Sequence, residues 1–288
     1  MRYLVSLFVC MLFAVPALAS EIKLMWIGSP QSGPPMVVLN ALRDNIAGPS
    51  TVVSHKDCRE QVRYIEREDD IVYMVVNMTM IQHSLQGQQC LPKFQPQHVI
   101  GSFVSAWHLC RRPGTPDMQP GQRWTFGAPN GMPGRGIVSR LNQYNNLDGV
   151  FVPVLSSSQV ATMIINGDLD WGMVNPGMSE PLMQKGQLEC PYTFLPQGTD
   201  MVPADRLLSR NFRLDTTVDQ VATWLVIAKT QDPAQRKRIE DAVYSDSFRA
   251  WLRQYHFSDL RLSPGIDGAA LLKNWRSDMT GMEQQLYR

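Results

Sequence analysis

The stretch FGAPNGMPGRG, Phe126 to Gly136, decides the fold. It closes a short apolar segment, Trp124 to Gly127, and opens a run in which Ile137, Leu141 and Tyr144 share one helical face. A strand that passes through a glycine-rich turn into a helix leaves backbone N–H groups bare at the helix N-terminus, where they can grip an anion. Two further units repeat the pattern. Val150 to Val154 leads through Ser156, Ser157 and Ser158 into a helix carrying Val160, Met163 and Ile164. Gly167 stands where a helix C-cap is expected, and Trp171 to Val174 reads as the next strand. Alternation of this kind predicts an α/β fold, with helices covering a sheet.

The same rhythm runs upstream. A strand at Ile22 to Ile27 enters the loop GSPQSGPP, and Val38, Leu42 and Ile46 follow at i, i+4 and i+8. A second strand, Thr51 to Ser54, precedes a helix with Cys58, Val62 and Ile65 on one face. The unbroken apolar run Ile71 to Val76 reads as a buried strand of a parallel sheet. A longer extended segment, Val99 to Cys110, ends in the turn-rich RRPGTPDMQPG, a composition shift that suggests a domain boundary. Near the C-terminus an apolar strand at Val221 to Ala228 is followed by Asp232 as a helix cap and Pro233 at the first helical position. Ile239 and Val243 share a face of that helix, and Phe248 and Leu252 belong to another. If this tail packs back on the first domain, the chain crosses between domains twice, and two crossings make a hinge. The expected division is residues 20–110 plus 225–288 for one domain and 111–224 for the other.

The N-terminus reads as a signal peptide. Arg2 precedes an apolar run from Leu4 to Ala14, and Ala17 and Ala19 form a small-residue cleavage signature, so residues 1–19 are expected to be removed. The apolar run is shorter than the roughly 20 residues of a membrane-spanning helix. Val9 is too large for the position before a lipoprotein cysteine, so Cys10 is expected to leave with the signal. The formal net charge is +1, and loss of Arg2 leaves the mature chain near neutral, without the basic stripe that nucleic acid or anionic membranes would require.

Four cysteines remain: Cys58, Cys90, Cys110 and Cys190. None lies in a C-x-x-C pair and the histidines are scattered, so neither a metal site nor a redox motif is expected. An even number of cysteines in an exported chain suggests disulfides, with three possible connectivities. Cys58 with Cys90 and Cys110 with Cys190 is preferred, the first pair because both members lie early in the fold; four buried thiols are the alternative.

In order and loop chemistry the chain resembles the solute receptors of tripartite tricarboxylate transporters, the Bug-type periplasmic binding proteins. GSPQSGPP is similar to the glycine loop after their first strand, TFGAPNGMPGRG to the strand and loop of their second domain, and VPVLSSSQVATMIINGDLDWGMVN to the proline-ended strand that follows. TWLVIAKTQDPAQRKRIEDAVYSDSFRAWLRQYHF is similar to their C-terminal strand and capped helices. The resemblance implies a two-lobed periplasmic binding protein type II fold, two sheet domains joined by a two-segment hinge. It implies a monomer in the periplasm that captures a small organic acid between the lobes and delivers it to a membrane permease. Matching loops would place ligand contacts at Ser29, Pro30, Gln31, Ser32, Asn77 and Thr79 in the first domain. Those of the second would be Asn130, Gly131, Met132, Ser156, Ser157, Ser158 and Asn175.

Each motif also has a plainer role. FGAPNGMPGRG has neither the Gly-Lys-Ser/Thr ending nor the glycine spacing of a nucleotide loop, and could serve as a turn. One of the three serines caps a helix whatever else it does. Arg111, Arg112 and Arg135 suit solvated surfaces, while Trp107 and Trp171 suit either a cleft wall or a core. The mapped loops hold no histidine or carboxylate and the mature chain has no G-x-S-x-G elbow, so no catalytic residue and no cofactor is expected. A secreted enzyme on this scaffold, and a receptor feeding a sensor kinase or an ABC-type permease, are the alternatives.

Overall fold

The computed structural model describes residues 20–28, 34–105, 107–129, 134–193, 202–203, 223–255 and 257–284. The expected signal segment, residues 1–19, lies outside them. The described residues form a mixed α/β fold of two lobes, each built on a six-stranded sheet.

The first sheet contains β1 (Ile22–Ile27), β2 (Ser50–Val52), β3 (Ile71–Val76) and β4 (Val99–Ser105), and the second begins with β5 (His108–Arg111). To β5 it adds β6 (Arg123–Pro129), β7 (Asp148–Val154), β8 (Trp171–Val174), β9 (Glu189–Thr193) and β10 (Val202–Pro203). The chain then returns to the first sheet with β11 (Thr223–Lys229) and β12 (Phe257–Arg261). The spatial orders are β12-β4-β11-β3-β1-β2 and β10-β9-β5-β8-β6-β7. Two crossings therefore join the lobes, the second within residues 204–222, outside the described part.

The segment read as one extended run, Val99 to Cys110, is two strands in different sheets. β4 pairs with β11 and β12, whereas β5 pairs with β8 and β9. The division expected after Cys110 thus falls inside β5, and that expected before Leu225 falls inside β11.

Strand β3 is buried throughout because both faces are covered. Val72, Met74 and Val76 pack in the cluster that holds α1 (Pro34–Arg43), through Val38, Leu39 and Leu42. Ile71, Tyr73 and Val75 face the cluster holding Ile65 of α2 (Cys58–Arg67). Directly after β3 comes α3 (Asn77–Leu85), so Asn77 and Thr79 belong to a first helical turn rather than to a loop. In the second lobe, Ile137, Val138 and Leu141 of α4 (Gly134–Asn145) cover one face. Val160, Ala161 and Ile164 of α5 (Ser157–Asn166) cover the other. Gly167 caps α5 in the left-handed region at φ 84°, as expected of a C-cap glycine. Helix α6 (Pro176–Gln184) follows β8.

The C-terminal part supplies α7 (Pro233–Val243), α8 (Asp246–Gln254) and α9 (Gly268–Met282). Asp232 caps α7, accepting from Ala234 N at 2.8 Å, and Pro233 opens it. Phe248 and Leu252 of α8 bury against the first lobe, and Trp275 of α9 joins the cluster on the opposite face.

Two disulfides link Cys58 to Cys90 and Cys110 to Cys190, the preferred connectivity. Cys110 lies at a register shift between β5 and β9, where Leu109 faces Tyr192 and Arg111 faces Glu189. Cys190 and Pro191 together oppose the single residue Cys110, a β-bulge that spares the ladder the N–H that proline lacks.

Candidate functional site

Strand direction brings one edge of each sheet to the first crossing. In the first sheet β1 and β3 run parallel, and the start of β11 lies beside the end of β3, with Trp224 opposite Val76. Thr223 in turn faces Val104, so Ile27, Val76, Ser105 and Thr223 mark a single edge. In the second sheet β6, β7 and β8 run parallel, and the start of β5 meets the end of β8, with His108 opposite Val174. His108 also faces Thr193. The carboxyl ends of the parallel strands in both lobes are therefore joined through residues 106–107. Carboxyl ends of parallel strands are where open α/β sheets bind ligands.

The second lobe presents a linked polar group at this edge. Ser156 caps α5, its hydroxyl accepting from Gln159 N at 3.2 Å and lying 2.9 Å from the Ser158 hydroxyl. Ser157 is buried, and its hydroxyl accepts from the Asn175 backbone N–H at 2.9 Å. Asn175 caps α6 through its side-chain oxygen, which accepts from Met178 N at 3.1 Å. Ser156, Ser157, Ser158 and Asn175 are thus brought together, with Ser157 bridging the loops after β7 and β8. Replacing Ser157 with alanine is expected to cost about 1 kcal/mol of stability. Ser158→Ala, at an exposed position, should change stability by less than about 0.5 kcal/mol. Urea unfolding of the two variants checks the contrast; equal midpoints would contradict the bridge.

Asn130, Gly131 and Met132, and in the first lobe Ser29, Pro30, Gln31 and Ser32, lie outside the described residues. The residues that flank these loops are tightly held. At Gly134 an added Cβ would fall 2.6 Å from both Ala128 Cβ and the Phe151 ring, so helix α4 sits directly on its sheet. Gly28 is clamped by Gln61 of α2, whose Oε1 accepts from Gly28 N and whose Nε2 donates to Gly28 O, both at 3.0 Å. Gln61 also donates to His55 O at 2.9 Å. Sequence reasoning missed Gln61, because it stands among Arg59, Glu60 and Arg63 on a strongly charged helix. Its only signal was the i, i+4 spacing with Ile65 on the buried face.

Asn77 is fully buried, and its side-chain oxygen accepts from Met78 N at 2.9 Å and Thr223 N at 3.1 Å. It fastens the end of β3 to the returning strand β11. Thr79, half-buried, follows one helical position beyond Met78.

Other polar groups serve structure. Arg111 bonds Glu189 at 2.9 Å and Asp117 at 2.6 Å and lies over the Trp171 ring, at the amino end of β8. This places Arg111 and Trp171 at the opposite edge from Asn175. Arg135 lies over the Phe151 ring. His108 and Ser179, both fully buried, share a hydrogen bond of 2.9 Å that ties β5 to α6. His83 packs beside the Cys58–Cys90 disulfide and shares a 2.9 Å hydrogen bond with Gln88 Oε1; burial holds its imidazole below the ordinary range, against that bond. The ligand atoms of Cys58, His83 and Cys90 lie within 4.8 Å of one another, yet both sulfurs are bonded to each other and so are not the thiolates that metals take. Surface cavities of about 560 and 400 Å³ lie along α2, the larger lined by His55, Glu60, Arg63, Glu66 and Arg67. Carboxylates and guanidiniums alternate there, which suits solvent better than an anionic ligand.

With this geometry the protein has the two-lobed fold of periplasmic solute-binding proteins. Among solved structures it is similar to a TctC solute-binding protein from Polaromonas, at 14% identity and TM-score 0.61, covering 92% of this chain and 98% of that one. It is similar also to MatC from Rhodopseudomonas palustris with bound malate, at 11% identity and TM-score 0.64, covering 93% and 99%. An R. palustris protein with adipate aligns at 9% identity and TM-score 0.65, covering 92% and 96%. No protein-family model matches the sequence, and no curated protein does. Among the described residues, no helix is long and apolar enough to cross a membrane.

Proposed function

We propose that this protein is a periplasmic receptor, acting as a monomer, that captures a small organic acid between its lobes and delivers it to a membrane permease of a tripartite transporter. The observation that carries the reading is the meeting of both sheets' carboxyl edges at one short crossing. There the second lobe contributes the linked group Ser156, Ser157, Ser158 and Asn175. Hydroxyl, carboxamide and backbone donors suit a carboxylate, and the two helix N-termini at α5 and α6 favour negative charge nearby. Malate and adipate, bound in two neighbours of the same fold, are the class of ligand such a site would hold.

In this reading residues 20–110 plus 225–288 and residues 111–224 approximate the lobes, and the first-lobe contacts come from Ser29 to Ser32, which follow Gly28 in the sequence, the residue that Gln61 clamps. No catalytic role is assigned: binding and release are sufficient. The cleavable signal and the two disulfides support an oxidising, exported location.

Thermal unfolding with malate, adipate, citrate, glutamate and benzoate tests the reading. A true ligand at one hundred times its Kd should add roughly 2.7 kcal/mol to stability. Absence of any shift across the panel at millimolar concentration would count against the carboxylate assignment.

A further inference from the structure

We infer that the indole N–H of Trp107, in the crossing between the lobes, is a hydrogen-bond donor to the bound ligand. This rests on the proposed carboxylate-receptor reading. Trp107 is 8% exposed, and its Nε1 is shut off from solvent with no hydrogen-bond partner among the described residues. A buried indole N–H ordinarily finds an acceptor, and two other tryptophans of the chain show how. Trp224 Nε1 donates to Ser105 Oγ at 3.0 Å and Trp275 Nε1 donates to Thr223 O at 3.3 Å.

The crossing is anchored at both ends. Ser105 is tied to Trp224 of the first sheet, and the Trp107 carbonyl accepts from Thr193 Oγ1 of the second at 3.4 Å. These bonds hold the backbone of the crossing beside both carboxyl edges, and the indole packs in the apolar cluster that draws residues from both lobes. A desolvated donor at that position lacks only an acceptor, and a carboxylate oxygen is a strong one. Because the donor is already stripped of water, a ligand that reaches it restores a missing bond without displacing an existing one.

Trp124 is the internal control. Its Nε1 is likewise buried and unpartnered, but it stands near the amino end of β6 opposite Gly149, at the edge away from the crossing.

The test is a proton–nitrogen correlation spectrum of the full-length mature protein, whose seven tryptophans give seven indole signals. It is recorded with and without the tightest binder of the malate, adipate, citrate, glutamate and benzoate panel. Trp107→Phe and Trp124→Phe assign the two orphan signals by their loss, and the remaining signals report whether each variant is folded. The Trp107 indole proton should move downfield on saturation while that of Trp124 stays in place. Trp107→Phe should bind the same acid roughly ten- to one-hundredfold more weakly, and Trp124→Phe should bind it normally. An acid that saturates the protein without moving the Trp107 signal, or a Trp107→Phe variant of unchanged affinity, overturns the inference while leaving the receptor reading intact. If no acid in the panel binds, the receptor reading fails and the inference falls with it.

Discussion

Replacing Cys110 and Cys190 together with alanine should lower the stability of the protein by roughly 4 kcal/mol, on the chain-entropy account of a loop this long. The two cysteines are 80 residues apart, so their bond restrains most of the second lobe in the unfolded chain. It also closes the bulge where Cys190 and Pro191 face Cys110, in the middle of a sheet. Both side chains are buried, so alanine leaves a small void and no stranded polar group. In a chain of this size the loss corresponds to a fall of about 10 °C in melting temperature. Denaturant unfolding of the native and variant proteins measures it. Reduction of the native protein before unfolding should remove at least as much stability as the double substitution. A variant as stable as the native protein would contradict the account.

Gln61→Leu should be nearly as costly. Leucine matches the apolar surroundings, but it strands the N–H and carbonyl of Gly28 and the carbonyl of His55, three backbone groups that Gln61 now satisfies. The expected loss is roughly 3 kcal/mol. Gln61→Glu should retain the bond from Gly28 N while setting a carboxylate against two carbonyls, so it too is destabilised. Since Gly28 opens the first-lobe loop, both variants should bind the carboxylate more weakly even under conditions where they are fully folded. Urea unfolding and a binding titration separate the two effects. Unchanged stability in Gln61→Leu would show that water replaces the amide.

How far these features could be read from the sequence depends on the range of the interactions behind them. Helices α1, α4 and α5 follow from local periodicity, because their apolar residues repeat at the spacing of one buried face, and strand β3 follows from its unbroken apolar run, which suits a strand covered on both faces. The caps at Asp232 and Gly167 were legible for the same reason, each being a contact within a few residues. The crossing was not. The turn-rich Arg111 to Gly121 has the composition of a boundary, yet the chain changes sheets at residues 106–107, where nothing in the composition marks it. Strand membership is decided by partners such as Val174 and Thr193, more than 60 residues further along.

The polar residues show the same limit. A cap among Ser156 to Ser158 could be recognised from the serines that follow a strand, whereas Asn175 enters the expected site through the family resemblance and its capping of α6 is seen only in the structure. Only the family resemblance places Asn77 among the expected ligand contacts; that its oxygen also accepts from Thr223 N, 146 residues away, could not be read locally. Gln61 carried no such mark. A glutamine on a charged helix looks solvated until the fold sets Gly28 against it.

The measurement that tests the central claim most directly is a crystal structure of the protein with its tightest carboxylate from the panel. The account predicts one acid molecule at the joined carboxyl edges. It should be contacted from the second lobe by the Ser156 to Ser158 and Asn175 group and from the first by the loop that begins at Gly28. An acid bound by one lobe alone, or seated in the cavity along α2 beside Arg63 and Arg67, would contradict it.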